Sequence, residues 1–499
     1  MTNGVFGPSR PAAVTVTVTG TRDGEGSTGS AGQQPATRSV IVLLASLLGF
    51  FMLSLDSTAV NVALAGIERT LGGSTAGLQW VIDAYTLMFA ALLISAGAIS
   101  DRIGAKCLYA IGLAAFLASS AACGLAPTLG FLIGGRAVQG SAAAVMLPAS
   151  LALVRQAYGN PARRAKAIAV WAVGGTVAMA GGPVAGGALT SGLSWRAIFF
   201  LNLPAGVVAV ALLARAPRSP LRAAPLDPAG QVTAVVALAA LTFGVIEGGE
   251  SGFGRPAVLG CLVLAAVAMA AFVVAETRAA HPMVPLALFR SRAVSVCVGI
   301  GFAVNVAFYG MIFVLSLYYQ RVLGQSAVLA GLEFLPMTAL LPVANLASAR
   351  LGTRFGPALA IKAGLVVSVL GLLGMLSLLS LLAASGGPDR VLLAAALVPA
   401  GTGLGFAVPS VIVVLLEAIP ADQAGMAAGL LNSSRQVGGT LAVAVFGALI
   451  AHRTSFLPGM RASVLIAVVV LAVAAAAAVT LPRGSSPAQR ENELTGLGR

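Results

Sequence analysis

The ionisable residues inside long apolar stretches of the chain, where a charge has no water to stabilise it, include Asp56, Asp83, Arg136 and Glu333. If these stretches cross a membrane, a lone charge near the bilayer centre costs at least about 2.5 kcal/mol, so each side chain must be paired, protonated or beside a water-filled cavity. All three states suit a proton carrier, because burial favours the neutral form of an acid and a nearby cation favours its charged form. We therefore predict that these four residues take part in proton coupling.

Asp56 and Arg136 are predicted to pair with each other. Asp56 lies about nine residues from the outer end of the first apolar stretch, which is roughly 13 Å along a helix. Arg136 lies about eight residues from the outer end of the fourth stretch, at a similar depth. The alternative is a static structural ion pair that carries no proton.

Asp83 and Glu333 each lie about five residues into their own apolar stretch, the second and the tenth. Acids in such places bind protons or cationic substrates, and Trp80 and Tyr85 would add cation–π contacts beside Asp83. The alternative is interfacial: both acids would lie near the outer rim, where aromatic residues are also common.

The sequence offers little other chemistry. The glycine-rich run at 401–405 lies in an apolar stretch with no strand before it, and there is no P-loop lysine motif, so ATP is not expected to drive this protein. Neither histidine belongs to a zinc-protease motif, and no serine-hydrolase motif is present. Four widely spaced cysteines in apolar runs are expected to be inert buried thiols: Cys107, Cys123, Cys261 and Cys297. We expect no cofactor and no metal ion.

The elements that must position these residues are membrane-spanning helices. Of the 499 residues, 58% are hydrophobic and only 9% are charged, whereas soluble domains are about 25% charged. This composition excludes a water-soluble enzyme and a disordered chain. Fourteen apolar runs are each long enough to cross a bilayer, which needs about 20 residues per helix. The sequence therefore predicts an all-α polytopic membrane protein.

The distribution of charge predicts the orientation of these helices. The net charge is +14, and about three times as many Lys and Arg residues fall on the side of the two tails as on the opposite side. Both termini are therefore predicted to be cytoplasmic, in the cell membrane, and the positive charge does not indicate nucleic-acid binding. The predicted units are a disordered tail at 1–38, six helices at 39–214, two extra helices with linkers at 215–292, six helices at 293–481 and a disordered tail at 482–499.

A faint internal repeat relates the two six-helix units. The loop at 97–104 and the loop at 349–356 share an arginine, an aliphatic position and a glycine, and they are 252 residues apart. Two similar halves that face each other are a transporter design, with the substrate held near the middle of the membrane.

The first of these loops resembles the signature loop of the major facilitator superfamily. The matching residues are Gly97, Asp101, Arg102, Gly104 and Lys106. In such a loop glycine permits a tight turn, and the carboxylate can cap a helix or pair with an arginine. The resemblance implies a cytoplasmic gate; the alternative is a solvated turn. It also implies the superfamily fold: two six-helix bundles, here with two inserted central helices, making fourteen.

Three further stretches narrow the resemblance to the fourteen-helix drug:proton antiporters. Residues 55–64 resemble the first-helix signature of that family, and residues 136–140 resemble the superfamily's fourth-helix signature, in which an arginine is tied to proton transfer. The fifth helix resembles the antiporter signature, which implies a seal against leak and coupling of the bundles. Its motif residues are Gly175, Gly182, Pro183, Gly186 and Gly187.

A set of polar and aromatic residues on these helices and their counterparts is predicted to bind substrate: Asn61, Trp80, Tyr85, Gln139, Tyr309, Asn432 and Arg435. For Arg435 the alternative is helix packing.

The resemblance is strongest to actinobacterial antibiotic and multidrug exporters. It implies a proton-coupled antiporter that exports drugs by alternating access, with a small organic substrate, protons and the lipid bilayer as partners. The sequence leaves the oligomeric state open, and we expect a monomer. The alternatives are an exporter dedicated to one endogenous metabolite and a transporter-like sensor. An intramembrane hydrolase lacks its motifs.

Overall fold

The computed structural model describes residues 36–221, 225–385, 390–420, 423–451 and 456–481. The predicted tails lie outside this part of the chain, except that the first helix already begins at Ala36. The described residues form helices and no strand.

Fourteen long helices follow one another along the described residues. Two of them are not regular throughout: the ninth ends in a π-helical turn over Tyr318–Val322, and the tenth is broken on both sides of Leu335–Thr338. The helices are α1 Ala36–Leu71, α2 Thr75–Ile103, α3 Ala105–Gly124, α4 Leu129–Ala157, α5 Pro161–Gly192, α6 Arg196–Ala214, α7 Pro228–Ser251, α8 Pro256–Arg278, α9 Arg292–Val322, α10 Ala327–Phe355, α11 Pro357–Ser385, α12 Arg390–Glu417, α13 Ala424–Leu449 and α14 Phe456–Ala478.

Thirteen of these helices are long and apolar enough to cross a membrane. The remaining one, α13, has 26 residues but carries the polar run Asn432–Gln436, which makes it less apolar than the others. Because α13 packs against α2, α7 and α9, that polar run is surrounded by protein rather than lipid. The predicted all-α fold with fourteen helices is confirmed.

Local capping explains where several helices begin. The Ser74 side chain accepts a hydrogen bond from the Gly77 backbone at the start of α2, and Thr128 does the same at the start of α4. Asn160 caps α5 and is followed by Pro161 in the first turn, where proline loses no helical hydrogen bond. These caps stabilise helix ends that are close to the membrane surface.

The repeated loop of the sequence folds the same way in both halves. α2 gives way to α3 at Gly104, and α10 gives way to α11 at Gly356, and each glycine has a φ of 88°. Side chains rarely adopt this conformation, so glycine is required at both turns. The shared arginine, Arg102 or Arg354, lies in the last turn of the helix before the glycine.

The inserted helices α7 and α8 pack side by side, and α7 also packs against α2 and α13. By contrast, α8 leaves most of its length exposed, including Val263, Leu264 and Val267. An exposed apolar helix surface of this kind is expected to face lipid.

We call the end of the molecule that carries the α1–α2 turn the outer end, following the orientation that the charge distribution predicts, and the opposite end the inner end. The described hydrogen bonds between α1–α6 and α9–α14 lie in the outer half and the middle of the molecule. Those nearest the inner end join Ser433 to the Ala90 carbonyl at 3.2 Å and Thr338 to the Ala180 carbonyl at 3.1 Å.

Candidate functional site: a buried ion pair and two polar centres

Asp56 on α1 and Arg136 on α4 form an ion pair in the core of the first half. Their side chains are 0% and 1% exposed, and the contact joins Asp56 Oδ2 to Arg136 Nη1. The similar depths predicted for Asp56 and Arg136 therefore correspond to direct contact between the two side chains. Water is excluded from this pair, so its electrostatic interaction is much stronger than that of a surface pair.

Two amides complete the hydrogen bonding of the Asp56 carboxylate. Oδ1 accepts from Gln139 Nε2 at 3.2 Å and from Asn202 Nδ2 at 3.4 Å. Asn202 also donates to Ser120 Oγ at 3.0 Å, and that hydroxyl donates to the Phe199 carbonyl. These contacts bring α1, α3, α4 and α6 together around one carboxylate.

Arg136 has partners besides the carboxylate. Its Nε donates to the Val81 carbonyl at 3.0 Å, and its Nη1 donates to Gln139 Oε1 at 2.8 Å. Its guanidinium carbon lies 4.2 Å from the centre of the Tyr85 ring and 5.9 Å from that of Phe199. The arginine would therefore keep two hydrogen bonds and two aromatic faces if Asp56 became neutral.

Asp83 is the second buried acid, and it has no cationic partner among the described residues. It is nine residues into α2, because that helix begins at Thr75, and it is 0% exposed. Its Oδ1 accepts weakly from Thr86 Oγ1 at 3.4 Å, whereas Oδ2 has no hydrogen-bond partner in the described part of the chain. Asp83 is therefore enclosed by protein well inside its helix, and its assignment to proton coupling stays a prediction.

Asp83 lies beside a contact between the two halves. The hydroxyl of Thr440 on α13 donates to that of Thr86 at 2.9 Å, and Thr86 in turn contacts Asp83. A change in the protonation of Asp83 would therefore act directly on the interface between α2 and α13.

Glu333 is in a different environment from the other acids. It is partly exposed, at the break in α10 between Leu332 and Leu335, and no Lys, Arg or His nitrogen in the described residues lies within 4 Å of its carboxylate. The structure does not bring it to the Asp56–Arg136 pair. The sequence-based assignment of Glu333 to proton coupling stays a prediction.

A second arginine forms the polar centre of the other half. Arg435 on α13 is half-buried, and its Nε donates to Asn305 Oδ1 at 3.3 Å while its Nη1 donates to Asn432 Oδ1 at 3.4 Å. No carboxylate of the described residues lies within 4 Å of it. Its hydrogen-bond partners among the described residues are thus amide oxygens.

The other predicted substrate residues occupy varied positions. Asn61 is buried and donates to the Ser57 carbonyl of its own helix at 3.1 Å. Trp80 packs against Phe243 of α7, with ring centres 6.1 Å apart, and Tyr309 is buried on α9. Gln139 and Tyr85 belong to the Arg136 network and Asn432 to the Arg435 centre, and Tyr309 interacts electrostatically with both Tyr85 and Arg435.

The predicted gate residues surround the α2–α3 turn at the inner end. Asp101 and Arg102 are exposed in the last turn of α2, and neither forms an ion pair among the described residues. Lys106 donates to the carbonyl of Ala216, beyond the end of α6, and so joins this turn to α6. An added Cβ on Gly97 would meet nothing within 4 Å.

The glycines of α5 allow two helices to approach it closely. A Cβ added to Gly186 would lie 2.5 Å from the Ala59 carbonyl of α1, and one on Gly182 would overlap Thr58, also on α1. Gly175 meets the ring of Phe50 on α1 in the same way. On another side of the helix, Gly187 contacts the backbone of Ala327 on α10. α5 therefore contacts both halves of the molecule through its motif.

The Pro183 carbonyl extends this contact with α10, because it lies directly against Gly331. Gly187 on α5 thus contacts the backbone of α10, and Gly331 on α10 contacts the backbone of α5. Small residues at both positions permit close helix packing within a membrane.

Polar contacts close the outer end between the halves. Arg321 on α9 pairs with Glu68 on α1 at 2.8 Å and donates to Thr75 Oγ1 at 3.1 Å. Ser316 on α9 donates to the Asn61 carbonyl at 2.7 Å. Gln79 on α2 donates to the Val443 and Ala444 carbonyls of α13.

Comparison with known proteins agrees with this fold. Residues 46–443 match the model of the Major Facilitator Superfamily. The chain belongs to the Major Facilitator Superfamily.

Named relatives and solved structures extend the match. The chain is 35% identical to a methylenomycin A resistance protein of Streptomyces coelicolor over 426 residues, which are 85% of this chain and 88% of that protein. It is 34% identical to the multidrug resistance protein Stp of Mycobacterium tuberculosis over 414 residues, 83% of this chain and 76% of that protein. The crystal structure of the peptide transporter POT in complex with sulfate aligns with a TM-score of 0.65 and 16% identity, covering 91% of this chain and 98% of that one.

Sequence reasoning missed three members of the buried centres: Asn202, Ser120 and Asn305. Asn202 interrupts the apolar run 198–203, and Asn305 is the only amide in the apolar run 296–315. An isolated amide in a membrane helix is itself a signal, because it must find a hydrogen-bond partner there.

Proposed function

We propose that this superfamily member exports drug-like organic compounds across the cytoplasmic membrane in exchange for protons. It is a transporter and not an enzyme, in keeping with its family and its relatives. The relatives named for resistance to methylenomycin A and to multiple drugs support export as the direction of transport. The observation that carries the proton part is the ion pair of Asp56 with Arg136, which is sealed from solvent.

The surroundings of this pair suit a reversible change of protonation. When Asp56 accepts a proton, it loses its ion pair but can still accept hydrogen bonds from Gln139 and Asn202. Arg136 keeps the Val81 carbonyl, Gln139 and the Tyr85 ring. Removing one partner of a buried pair usually costs about 3 to 5 kcal/mol because the other charge is left alone. Here the remaining contacts offset part of that cost, so both states are accessible.

Asp83 is the second acid in this proposal. Its partnerless oxygen and its contact with Thr86 at the α2–α13 interface support a role in which protonation changes the fit between the halves. In the same scheme the bundles at 39–214 and 293–481 rock about the substrate, and the helices of 215–292 follow them.

The contacts between the halves suggest how this rocking proceeds. They join the outer end and the middle, which supports opening of the inner end toward the cytoplasm in this conformation. The loop with Asp101 and Arg102 would then gate the inner end. The glycines of α5 would keep the outer path sealed against α1 and α10. The protein would act as a monomer with both termini in the cytoplasm.

The hydrogen bonds around Arg435 support a substrate-binding site in the second half of the molecule. The described hydrogen-bond partners of Arg435 are amide oxygens, and a substrate oxygen could replace one of them without breaking an ion pair of the described residues. Asn61, Trp80, Tyr85 and Tyr309 remain proposed contacts of larger substrates.

Inverted membrane vesicles test the proposed function. Vesicles with and without the protein are given an inside-acid proton gradient, and uptake of methylenomycin A and of ethidium is measured. Uptake should exceed that of the control vesicles and fall to their level when an uncoupler collapses the gradient. Uptake that survives the uncoupler and follows added ATP would contradict proton exchange.

A second candidate function is export of one endogenous metabolite, and the single-antibiotic name of the Streptomyces relative favours it. Transport of only one compound in a panel of unrelated drugs would select this function over multidrug export. A sensor that binds without transport would show ligand binding in proteoliposomes but no flux.

A further inference from the structure

A pair of carboxylates joins the inserted helices at the inner end, far along the chain from Asp56. Asp227 precedes α7 and Glu276 lies in the last turn of α8, where its side chain is only 3% exposed. One oxygen of each carboxylate accepts a backbone N–H: Asp227 Oδ1 from Gly230 at 2.8 Å, and Glu276 Oε2 from Val284 at 2.9 Å. Each side chain is thereby fixed in orientation.

The other two oxygens face each other. Asp227 Oδ2 and Glu276 Oε1 are buried and have no hydrogen-bond partner among the described residues. Both lie 2.6 Å from the position that a Cβ on Gly230 would take, so their separation is at most twice that distance. The absence of a side chain at Gly230 leaves the space in which they meet.

Among the described residues, which leave out Arg222, no cation balances these oxygens. Arg278 and His281 follow Glu276 closely in sequence, yet neither places a nitrogen within 4 Å of Asp227 or Glu276. Of the described ionisable groups on α2, α7 and the segment leading to α9, the one that acts on Glu276 is Asp227. Two facing carboxylates with no cation cannot both stay ionised in a buried site.

A single proton resolves this conflict without any further ligand. A protonated carboxyl is a donor, and the facing carboxylate oxygen is an acceptor, so one proton satisfies both free oxygens. A hard metal ion would need six or more oxygen ligands, and the described residues hold no group of three His, Cys, Asp or Glu side chains suited to a metal. The geometry therefore favours a proton over a metal ion.

We propose that Asp227 and Glu276 bind one shared proton at the junction of the inserted helices. This site is separate from the Asp56 pair and does not depend on the transport proposal. Gln231, which follows Gly230 on α7, donates to the Ala91 carbonyl of α2 at 2.8 Å. Its side-chain oxygen accepts a hydrogen bond from Ser95, also on α2. Ser95 also contacts the Met283 sulfur at 3.1 Å, so the proton stabilises the docking of α7 and the α8–α9 segment on α2.

The experiment is thermal unfolding of the full-length protein in detergent between pH 5 and pH 8.5. An unfolded chain releases carboxyl protons near pH 4, whereas the folded pair retains one, so folding takes up a proton and stability falls as pH rises. We expect Tm of the wild-type protein to fall across this range. In Glu276→Gln an amide N–H replaces the proton, and Tm should become less dependent on pH.

Two further variants make the result specific. Asp227→Asn supplies an amide donor from the other side of the pair and should flatten the pH dependence in the same way. Glu247→Gln removes a carboxylate from the opposite end of α7 and should keep the wild-type slope. Infrared spectra of the wild-type protein should contain the C=O stretch of a buried carboxylic acid that both amide variants of the pair lack.

Three results would overturn the proposal. One is a wild-type slope of Tm against pH in both amide variants. Another is an infrared spectrum in which neither variant loses any carboxylic acid absorption relative to the wild-type protein. The third is a rise in wild-type Tm at pH 8.5 on addition of Mg²⁺, Ca²⁺ or Na⁺ that Glu276→Gln lacks, which would assign the site to a metal ion. If Glu276→Gln does not fold, Asp227→Asn and the wild-type infrared band decide between these outcomes.

Discussion

The two halves of the molecule surround their central arginines in opposite ways. In the first half Arg136 is sealed from solvent and paired with the carboxylate of Asp56. In the second half Arg435 is half-buried, and its described partners are the amide oxygens of Asn305 and Asn432. The first centre is therefore neutral as a unit, whereas the second carries a net positive charge.

This difference indicates a division of labour. A neutral, enclosed ion pair can change its charge by taking up one proton, and its amide and aromatic partners hold the geometry while it does so. A positive centre with only neutral partners attracts an electron-rich group of a ligand, since an amide contact is exchanged at low cost. Four substitutions test this division, in order of decreasing expected effect.

Asp56→Asn should abolish proton-driven transport while the protein still folds. Asparagine has nearly the shape of aspartate and can still accept a hydrogen bond from Gln139 or Asn202, but it cannot carry a proton. Gradient-driven flux and the amount of folded protein in the membrane are measured together. Arg136 retains the Val81 carbonyl, so we expect expression close to that of the wild-type protein.

The matched control for this substitution is Asn202→Asp, which places a second carboxylate beside Asp56. Two acids in that core should compete for one proton and shift the pH dependence of flux rather than abolish it. Full wild-type flux in a well-expressed Asp56→Asn protein would remove Asp56 from the coupling mechanism and leave Asp83 as the acid to test.

Arg435→Gln should weaken substrate binding about ten- to hundredfold without uncoupling transport from the proton gradient. The estimate follows from loss of a hydrogen bond to a charged group, worth about 1.5 to 3 kcal/mol. KM is measured in vesicles for the compound that the protein transports. Arg435→Lys keeps the charge, so its KM should lie between those of the wild-type protein and Arg435→Gln. An unchanged KM in both variants would assign Arg435 to helix packing.

Asp83→Asn should leave the protein at least as stable as the wild type and change the pH profile of transport. Aspartate has a partnerless buried oxygen here, so removal of its charge removes a desolvation cost of the folded state. Tm in detergent and flux between pH 5.5 and pH 8 provide the measurements. A lower Tm with an unaltered pH profile would mean that Asp83 stabilises the α2–α13 interface and carries no proton.

Glu68→Gln is expected to have the smallest effect, about twofold on flux, because partly exposed ion pairs contribute little. Its partner Arg321 extends the comparison to a third arginine, which joins the halves at the outer end. Loss of the pair should favour outer opening slightly, measured as faster labelling of a cysteine introduced near Thr75. A loss of flux as large as that of Asp56→Asn would contradict this ranking.

Much of the molecule could be predicted from the sequence because the membrane restricts its solutions. Apolar runs of the required length must become helices, since lipid offers no partner to backbone N–H and C=O groups. The glycines at 104 and 356 indicated matching turns, and both have the same φ. The depth rule for Asp56 and Arg136 worked because their two helices pack against each other and place equal depths side by side.

Other features depended on contacts that the sequence does not show. Asp83 lies deeper in its helix than predicted because the Ser74 cap starts α2 three residues earlier than the apolar pattern indicated. Trp80, a predicted substrate contact, also packs against Phe243 because α7 lies against α2. Glu333 matched Asp83 in sequence position, yet the breaks in α10 leave it partly exposed.

The sequence alone determined the helices, their number and the residues that could not remain as lone charges in lipid. Only the tertiary structure decided which partners those charges found: the α4 arginine for Asp56, a threonine for Asp83 and two asparagines for Arg435. It likewise decided that Asp227 and Glu276, 49 positions apart, meet across Gly230. Helix formation depends on neighbours along the chain, whereas these contacts depend on helix rotation and close approach, which packing of the whole molecule sets.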